Sequence, residues 1–190
     1  MEELAVGKII ISKQIENSDN YQRFLRIIKE KDIEVNIVKK GDKILFDKDV
    51  YMDVLWPKEK TNISENVLNN NAMVLKLHYF DFSMLFTGDI EKKAEDEILE
   101  QYRKNNCLKS TVLKVAHHGS KTSSTNEFLY KVSPKVSVIG VGQNNKFGHP
   151  SENTLENLKL INCEVYRTDK DGEITIIVNK NRMSIDKCIK

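Results

Sequence analysis

The order of short apolar segments constrains the fold of this chain more than any other feature of the sequence. Before residue 80 the segments are mostly strand-like runs, and after residue 80 strand-like runs alternate with amphipathic, helix-like ones. Each such element must bury one apolar face against another layer. The pattern therefore predicts a single α/β domain over residues 1–190, a four-layer sandwich of two sheets with helices outside, with no internal repeat or linker.

Periodicity and turn residues assign the individual segments. Predicted strands cover 7–12, 34–38, 43–46, 51–55, 73–80, 83–87, 111–116, 136–141, 164–168 and 173–178. Predicted helices cover 20–31, 90–103, 125–132 and 154–161. The asparagine-rich stretch 58–71 is predicted to be a loop, and the DKDG sequence at 169–172 a hairpin turn that joins the last two strands.

Composition narrows the classes of protein to which the chain can belong. Hydrophobic residues make up 39% and charged residues 31% of the 190 residues, a mixture that can bury a core. The formal net charge of +2 does not indicate a uniformly basic nucleic-acid-binding surface. The three scattered cysteines argue against a disulfide framework or a structural zinc site. No apolar run has the length of a membrane span, so we expect this piece to be soluble.

The polar residues best suited to chemistry all follow predicted strands: Asp89, His117, His118 and His149. Carboxylate and imidazole groups together suit a divalent metal that activates water. Structural explanations remain open for each motif. Asp89 in FTGD is also typical of a helix-capping turn, and one of the two adjacent histidines is expected to point to the opposite strand face. His149 is alternatively a cap of the following helix.

The fragments occur in an order that resembles the metallo-β-lactamase-like domain of the competence DNA-uptake (ComEC-like) protein family. They are Asn69-Asn70-Asn71, Phe86-Thr87-Gly88-Asp89, Leu113–Ser120, Asn145–Pro150 and Arg167-Thr168-Asp169. The resemblance implies a partial αββα sandwich that corresponds to the C-terminal half to two-thirds of that fold. It also implies that Asp89 is a bridging metal ligand, that His118 and His149 lie near the metals, and that His117 is a further candidate.

The same resemblance implies an activity: metal-dependent hydrolysis of phosphodiesters, with DNA as the substrate and zinc or manganese as the cofactor. A histidine of these loops, His117 or His118 among them, is the candidate proton donor to the leaving oxygen. Ser120, Asn145 and Lys121 are candidates for phosphate contacts, as are Lys114 and Lys146. The implied partners are DNA and the membrane-channel portion of a longer parent chain, with this domain on the extracellular side.

Two departures from the family pattern qualify these expectations. The family's main metal motif, HxHxDH, is absent, since no histidine precedes His78, and Ala72 stands where a serine is expected. We therefore expect an incomplete domain that lacks the motif-bearing N-terminal segment, binds metal weakly or not at all, and is inactive alone. An incomplete sheet exposes apolar surface, so we also expect a homodimer that covers it. The alternatives are part of a stand-alone hydrolase of small esters and a degenerate, metal-free binding module.

Overall fold

A β-α-β unit begins the structure, a computed structural model that describes residues 4–14, 16–180 and 182–188. Strand β1 (Lys8–Ser12) and strand β2 (Glu34–Val38) pair in parallel, and helix α1 (Asp19–Glu30) connects them. Ser18 caps the helix, because its Oγ accepts a hydrogen bond from the Tyr21 N–H at 3.2 Å. The strand-helix-strand order predicted for this segment is confirmed.

A mixed sheet of seven strands follows and forms the centre of the molecule, in the order β3-β4-β5-β6-β7-β8-β9. The strands are β3 (Lys43–Asp47), β4 (Val50–Trp56), β5 (Val74–Tyr79), β6 (Phe82–Phe86), β7 (Val112–Lys114), β8 (Val136–Ile139) and β9 (Glu164–Arg167). Strands β3 to β6 are antiparallel neighbours, whereas β6 to β9 run parallel. The parallel half arises because helices return the chain between these strands.

The main core lies between one face of this sheet and three helices. Between β4 and β5 there is a short helix, α2 (Val67–Asn70); the larger ones are α3 (Lys92–Gln101), α4 (Asn126–Val132) and α5 (Glu152–Leu160). Leu85 and Leu113 of the sheet pack with side chains such as Ile98, Phe128 and Leu158, all at most 1% exposed. Leu85 and Leu113, which are partners in neighbouring strands, therefore join the same core.

The opposite face of the sheet is only partly covered. A short helix, α6 (Thr168–Asp171), leads into a hairpin of β10 (Glu173–Asn179) and β11 (Arg182–Cys188). Ile176 and Val178 of the hairpin face Leu77 and Met84 of the sheet across an apolar groove. Two layers of β-structure with helices outside the larger one agree with the predicted α/β sandwich, so the predicted fold class is confirmed.

Several local predictions differ from the structure. The 169–172 sequence does not join two paired strands: it lies in α6, β9 pairs with β8, and β10 pairs with β11. Strand β11 was not predicted, although Met183 and Ile185 alternate with polar residues as a half-buried strand requires. Helix α2 lies inside the segment predicted as loop. In the part of the chain that the structure describes, we find no helix with the length and apolarity that crossing a membrane requires.

Candidate metal site

The predicted site residues lie after three neighbouring parallel strands. Asp89 follows β6, the two adjacent histidines follow β7, and His149 ends the loop that follows β8. The carboxyl ends of parallel strands meet at one edge of a sheet, which is where α/β proteins assemble their sites. The fold therefore gathers Asp89, His117, His118 and His149 at one edge.

The two adjacent histidines are not in a strand, and the prediction that they lie on opposite strand faces is wrong. Strand β7 ends at Lys114, and Ala116–Gly119 forms a tight 3₁₀ turn. His117 (φ 47°) and His118 (φ 54°) both have left-handed backbone conformations, which few residues other than glycine adopt. The turn directs the rings differently: His118 Nε2 lies 3.9 Å from Asp89 Oδ1, and His117 Nδ1 lies 3.6 Å from Glu91 Oε1.

A hydrogen bond fixes which nitrogen of His118 carries the proton. His118 Nδ1 lies 2.6 Å from the Gly140 carbonyl oxygen, which can only accept, so Nδ1 is the donor. In the neutral ring, Nε2 then presents a lone pair toward the Asp89 carboxylate, another acceptor. Two facing acceptors favour a cation between them. Zinc bonds to imidazole and carboxylate are about 2.0–2.2 Å each, so one ion fits a 3.9 Å gap. Histidine ligands commonly donate their other N–H to a carbonyl in this way.

His149 is held by Asn145. The Asn145 side chain accepts from the His149 N–H at 2.9 Å and donates to the His149 carbonyl at 2.7 Å. The His149 ring lies edge-on to that of His117, with centroids 5.7 Å apart. Burial lowers the pKa of His149, and the neighbouring His117 and His118 lower it further. A neutral imidazole, the form that binds metal, is therefore favoured at neutral pH.

The alternative in which His149 caps the following helix is not what the structure shows. The cap of α5 is Ser151, whose Oγ accepts from the Thr154 N–H at 3.2 Å. The loops that carry His118 and His149 are joined directly, because the Ser151 N–H donates to the Gly119 carbonyl at 2.9 Å. A Cβ atom on Gly119 would lie only 2.6 Å from the Pro150 Cβ. The absence of a side chain at Gly119 thus allows the two loops to meet.

The asparagine run supports the segment that carries Asp89, in spite of Ala72. Asn70 is fully buried, and its Oδ1 accepts from the backbone N–H groups of Glu91 (3.1 Å) and Ala94 (3.3 Å). It therefore satisfies amide donors at the start of α3. Ala72 itself lies against Gly88, where an added Cβ would be 2.9 Å from the Ala72 Cβ. The loop positions the residues around Asp89 through Asn70.

The predicted phosphate-binding residues differ in how accessible they are. Lys121 is exposed, whereas Ser120 is 5% exposed and its Oγ lies 3.0 Å from the Thr122 Oγ1. The Asn145 side chain is engaged with His149 and also donates to the Gly142 carbonyl at 3.1 Å. Lys114 lies near Asp89, and burial lowers the pKa of its ammonium group while Asp89 partly offsets that effect. These placements favour Lys121 for direct contacts and Asn145 for positioning.

Glu91 is a residue of the site that the sequence analysis missed. Asn66 Nδ2 donates to its Oε2 at 2.7 Å and Thr122 Oγ1 donates to its Oε1 at 3.2 Å. These bonds place the carboxylate beside His117 Nδ1. The sequence offered one indication of this role, because Glu91 lies two residues after Asp89, at the start of a predicted helix. Acidic residues at the start of a helix are, however, ordinarily explained by the helix dipole.

The Arg167-Thr168-Asp169 motif anchors the loop that leads to His149. Thr168 Oγ1 accepts from the Val141 N–H at 2.7 Å and donates to the Val141 carbonyl at 2.8 Å. Arg167 donates to both carboxylate oxygens of Asp169, at 3.0 and 2.6 Å, and the Arg167 guanidinium lowers the pKa of this carboxyl group. The motif fixes the first residue of the loop, as Asn145 and Ser151 fix its end.

The ligand set is short of a complete metal site. Over residues 4–14, 16–180 and 182–188, no three His, Cys, Asp or Glu side chains come together in a group that could hold an ion. Asp89 and His118 form a two-ligand pair, and the His149 ring lies nearby without completing it. Structural zinc sites use four ligands and catalytic zinc sites three plus a water. The residues present therefore fit part of a metal site.

Comparison with known proteins identifies relatives among competence proteins, although no family model matches the chain. The chain is 34% identical to ComE operon protein 3 of Bacillus subtilis over 169 residues, which is 89% of this chain. It is 34% identical to the competence protein ComA of Neisseria gonorrhoeae over 66% of the chain. It is 30% identical to recombination protein 2 of Haemophilus influenzae over 66% of the chain.

The matched regions are a small part of these relatives, 21%, 17% and 15% of their respective lengths. Among solved structures, a protein from Parabacteroides distasonis described as a metal-dependent hydrolase superposes with a TM-score of 0.47. The sequences are 12% identical in that alignment, which covers 86% of this chain and 76% of the other.

Proposed function

We propose that this chain is the metal-binding part of a hydrolase domain that cleaves DNA phosphodiesters during DNA uptake. The chain is homologous to one part of the ComEC-like competence proteins. One observation carries the proposal: His118 Nε2 lies 3.9 Å from Asp89 Oδ1, while His118 Nδ1 is bonded to the Gly140 carbonyl. A bound zinc or manganese ion would supply Lewis-acid stabilisation of the charge that develops on the phosphoryl oxygens.

The side chains around this pair have proposed roles that follow from their positions. His149, held neutral by its surroundings, is the proposed third ligand. His117, beside the Glu91 carboxylate, is the proposed proton donor to the leaving oxygen. His118 does not fit that role, because its Nδ1–H is bonded to Gly140 and its Nε2 faces the proposed metal position. Exposed Lys121 contacts the phosphate, while Asn145 and Ser120 position the loops. Lys114, which lies near Asp89, is proposed to offset part of the carboxylate charge.

The proposal includes a dependence on further protein. The described residues provide an Asp89–His118 pair but no group of three ligands. We propose that the remaining ligands come from another segment of a longer, membrane-anchored parent protein that presents this domain outside the cell. The isolated chain then binds metal weakly and does not cleave DNA.

A second candidate function, a metal-free binding module, has one observation in its favour. No side-chain group able to hold a metal is found among the described residues. In that case Asp89 and His118 would lie together at the polar edge without binding an ion. Direct measurement of metal binding distinguishes the two candidates.

The proposal is tested by calorimetric titration of the chain with Zn²⁺ and Mn²⁺, beside Asp89→Asn. We expect one ion per chain and an affinity that falls by roughly tenfold or more in the variant. Exposed Asp186 lies on the hairpin, so Asp186→Asn is the matched control and should bind as the wild type does. Absence of binding would favour the metal-free module instead.

Cleavage of a labelled single-stranded oligonucleotide in the presence of Mn²⁺ tests the dependence on further protein. We expect no cleavage by the isolated chain. If the wild type cuts the strand and Asp89→Asn does not, the described residues suffice for catalysis, and the proposed need for further ligands is wrong.

A further inference from the structure

Phe147 is an exposed aromatic residue at the rim of the site. Its side chain is 81% exposed, the highest value among the large apolar residues that the structure describes. Isolated exposed apolar residues are common and need no explanation by themselves. Phe147 differs because its ring stacks on that of His149, with centroids 5.9 Å apart and planes 21° apart. The Phe147 ring is therefore next to a residue of the site and largely open to solvent.

The loop that carries Phe147 is fixed at both ends rather than free. Thr168 holds Val141 at its start, and Asn145 bonds to both the N–H and the carbonyl of His149 at its end. Lys146, also exposed, precedes Phe147 in the same loop. The loop thus presents an aromatic face at a fixed position, beside a cation and next to a site suited to phosphodiesters. Sites that bind single-stranded nucleic acids use this combination.

We propose that Phe147 is a stacking platform for one nucleobase of a single-stranded DNA substrate, placed so that the adjoining phosphodiester reaches the Asp89–His118 pair. This inference rests on the proposed phosphodiester function and deepens it. Stacking tolerates every base, because each has a π-face, so the site takes unpaired strands with little sequence preference. A duplex keeps its bases stacked internally and cannot use this platform.

Fluorescence anisotropy of labelled strands without metal tests the proposal. The strands are an oligothymidine of about twelve nucleotides and an abasic strand of the same length. Wild type should bind oligothymidine more tightly than the abasic strand. Phe147→Ala should weaken oligothymidine binding by about 5-fold to 100-fold and remove the difference between strands, whereas Phe147→Trp should retain it. Tyr130→Ala, which alters an exposed aromatic residue on α4, is the matched control and should behave as wild type.

The outcomes separate this inference from the function on which it rests. If the wild type binds both strands equally, or Phe147→Ala binds oligothymidine as the wild type does, Phe147 is not a base platform, and the DNA proposal stands. If the wild type binds neither strand, the proposal for Phe147 fails, and the metal titration with Asp89→Asn decides separately whether the metal site exists. Because Phe147 is exposed, its variants should fold, and their circular dichroism spectra should match that of the wild type.

Discussion

At the scale of single residues, the candidate site depends on backbone conformations that most side chains avoid. His117 and His118 are consecutive residues with positive φ, and such conformations cost on the order of 1–3 kcal/mol each. Hydrogen bonds hold the turn: the His117 N–H donates to the Gly88 carbonyl at 3.0 Å, and the Ser120 N–H donates to the His117 carbonyl at 2.9 Å. We infer that these strained backbone conformations allow both histidine rings to reach the same edge of the sheet.

The contact between Gly119 and Pro150 gives a prediction of stability. Gly119 has φ +83°, and a Cβ there would meet the Pro150 Cβ at 2.6 Å. Gly119→Ala should therefore lower the free energy of unfolding by about 2–4 kcal/mol, measured by urea denaturation. Gly142→Ala is the control, because nothing lies within 4 Å of its Cβ position; it should change stability by less than about 0.5 kcal/mol. Equal unfolding midpoints would contradict the proposed packing of the two loops.

His78 gives a prediction of pH dependence away from the metal site. Its ring stacks on that of Tyr51 and lies 3.0 Å from an Asp53 oxygen. Burial lowers the pKa of His78 below the ordinary 6.5. Asp53 partly offsets this effect, and Lys76 and Lys43 reinforce it. The unfolded chain then binds this proton more readily than the folded one. The His78 contribution to stability is full above about pH 6.5 and falls as pH drops below it.

Unfolding at about pH 7.5 and pH 5.5 checks this sign. The wild type should lose more stability between the two values than His78→Gln, which has no titrating group at this position. An equal or larger loss in the variant would show that His78 does not resist protonation in the folded state.

At the scale of elements, strands and helices with clear periodicity were predictable and the site loops were not. The motifs correctly predicted that Asp89, His118 and His149 follow strands. The structure adds that these strands are neighbours in one sheet. Two turns were mispredicted because their residues fit a common alternative: DKDG is typical of hairpins, and the two histidines continue an apolar run. Glu91 was missed because its contacts come from Asn66 and Thr122, which are distant in sequence.

Glu95 connects two helices and gives a prediction at this scale. Glu95 is fully buried in α3. Its carboxylate accepts hydrogen bonds at the start of α4 from the Ser124 N–H, the Thr125 N–H (2.9 Å) and the Thr125 Oγ1 (2.7 Å). Burial raises its pKa, and these hydrogen bonds act in the opposite direction. Glu95→Gln should lower the free energy of unfolding by about 1–3 kcal/mol, because an amide N–H would face backbone donors.

Glu100→Gln is the matched control for this change. Glu100 lies in the same helix and is exposed, so urea denaturation should detect a change of less than about 0.5 kcal/mol. If both variants unfold at the wild-type midpoint, Glu95 does not stabilise the junction between α3 and α4.

At the scale of the whole molecule, apolar surface remains uncovered in the described part of the chain. Edge strand β3 exposes Leu45 (73%) and Phe46 (59%), and the groove between the sheet and the hairpin is lined by Leu77 and Ile176. Exposed apolar edges favour association with further β-structure. The relatives are much longer proteins, of which the chain matches 15–21% in length. The homodimer expected from the sequence would cover this surface.

Self-association of the isolated chain follows from this surface. Sedimentation equilibrium should detect a dimer, and Leu45→Lys together with Phe46→Lys should shift it toward monomer by charging the edge of β3. Lys121→Glu changes an exposed residue of the candidate site and should leave the association unchanged. A wild-type chain that is monomeric at all concentrations would show that the edge is not a self-association surface.

Nuclear magnetic resonance of the histidine ring nitrogens during titration with Zn²⁺ tests directly whether this edge of the sheet binds metal. We expect a proton on Nδ1 of His118 in the metal-free chain, because that atom donates to the Gly140 carbonyl. Zinc should then shift the His118 Nε2 and a His149 ring nitrogen, and leave His78 unchanged. A His118 ring protonated at Nε2, or zinc that shifts neither ring, would contradict the assignment of this edge as a metal site.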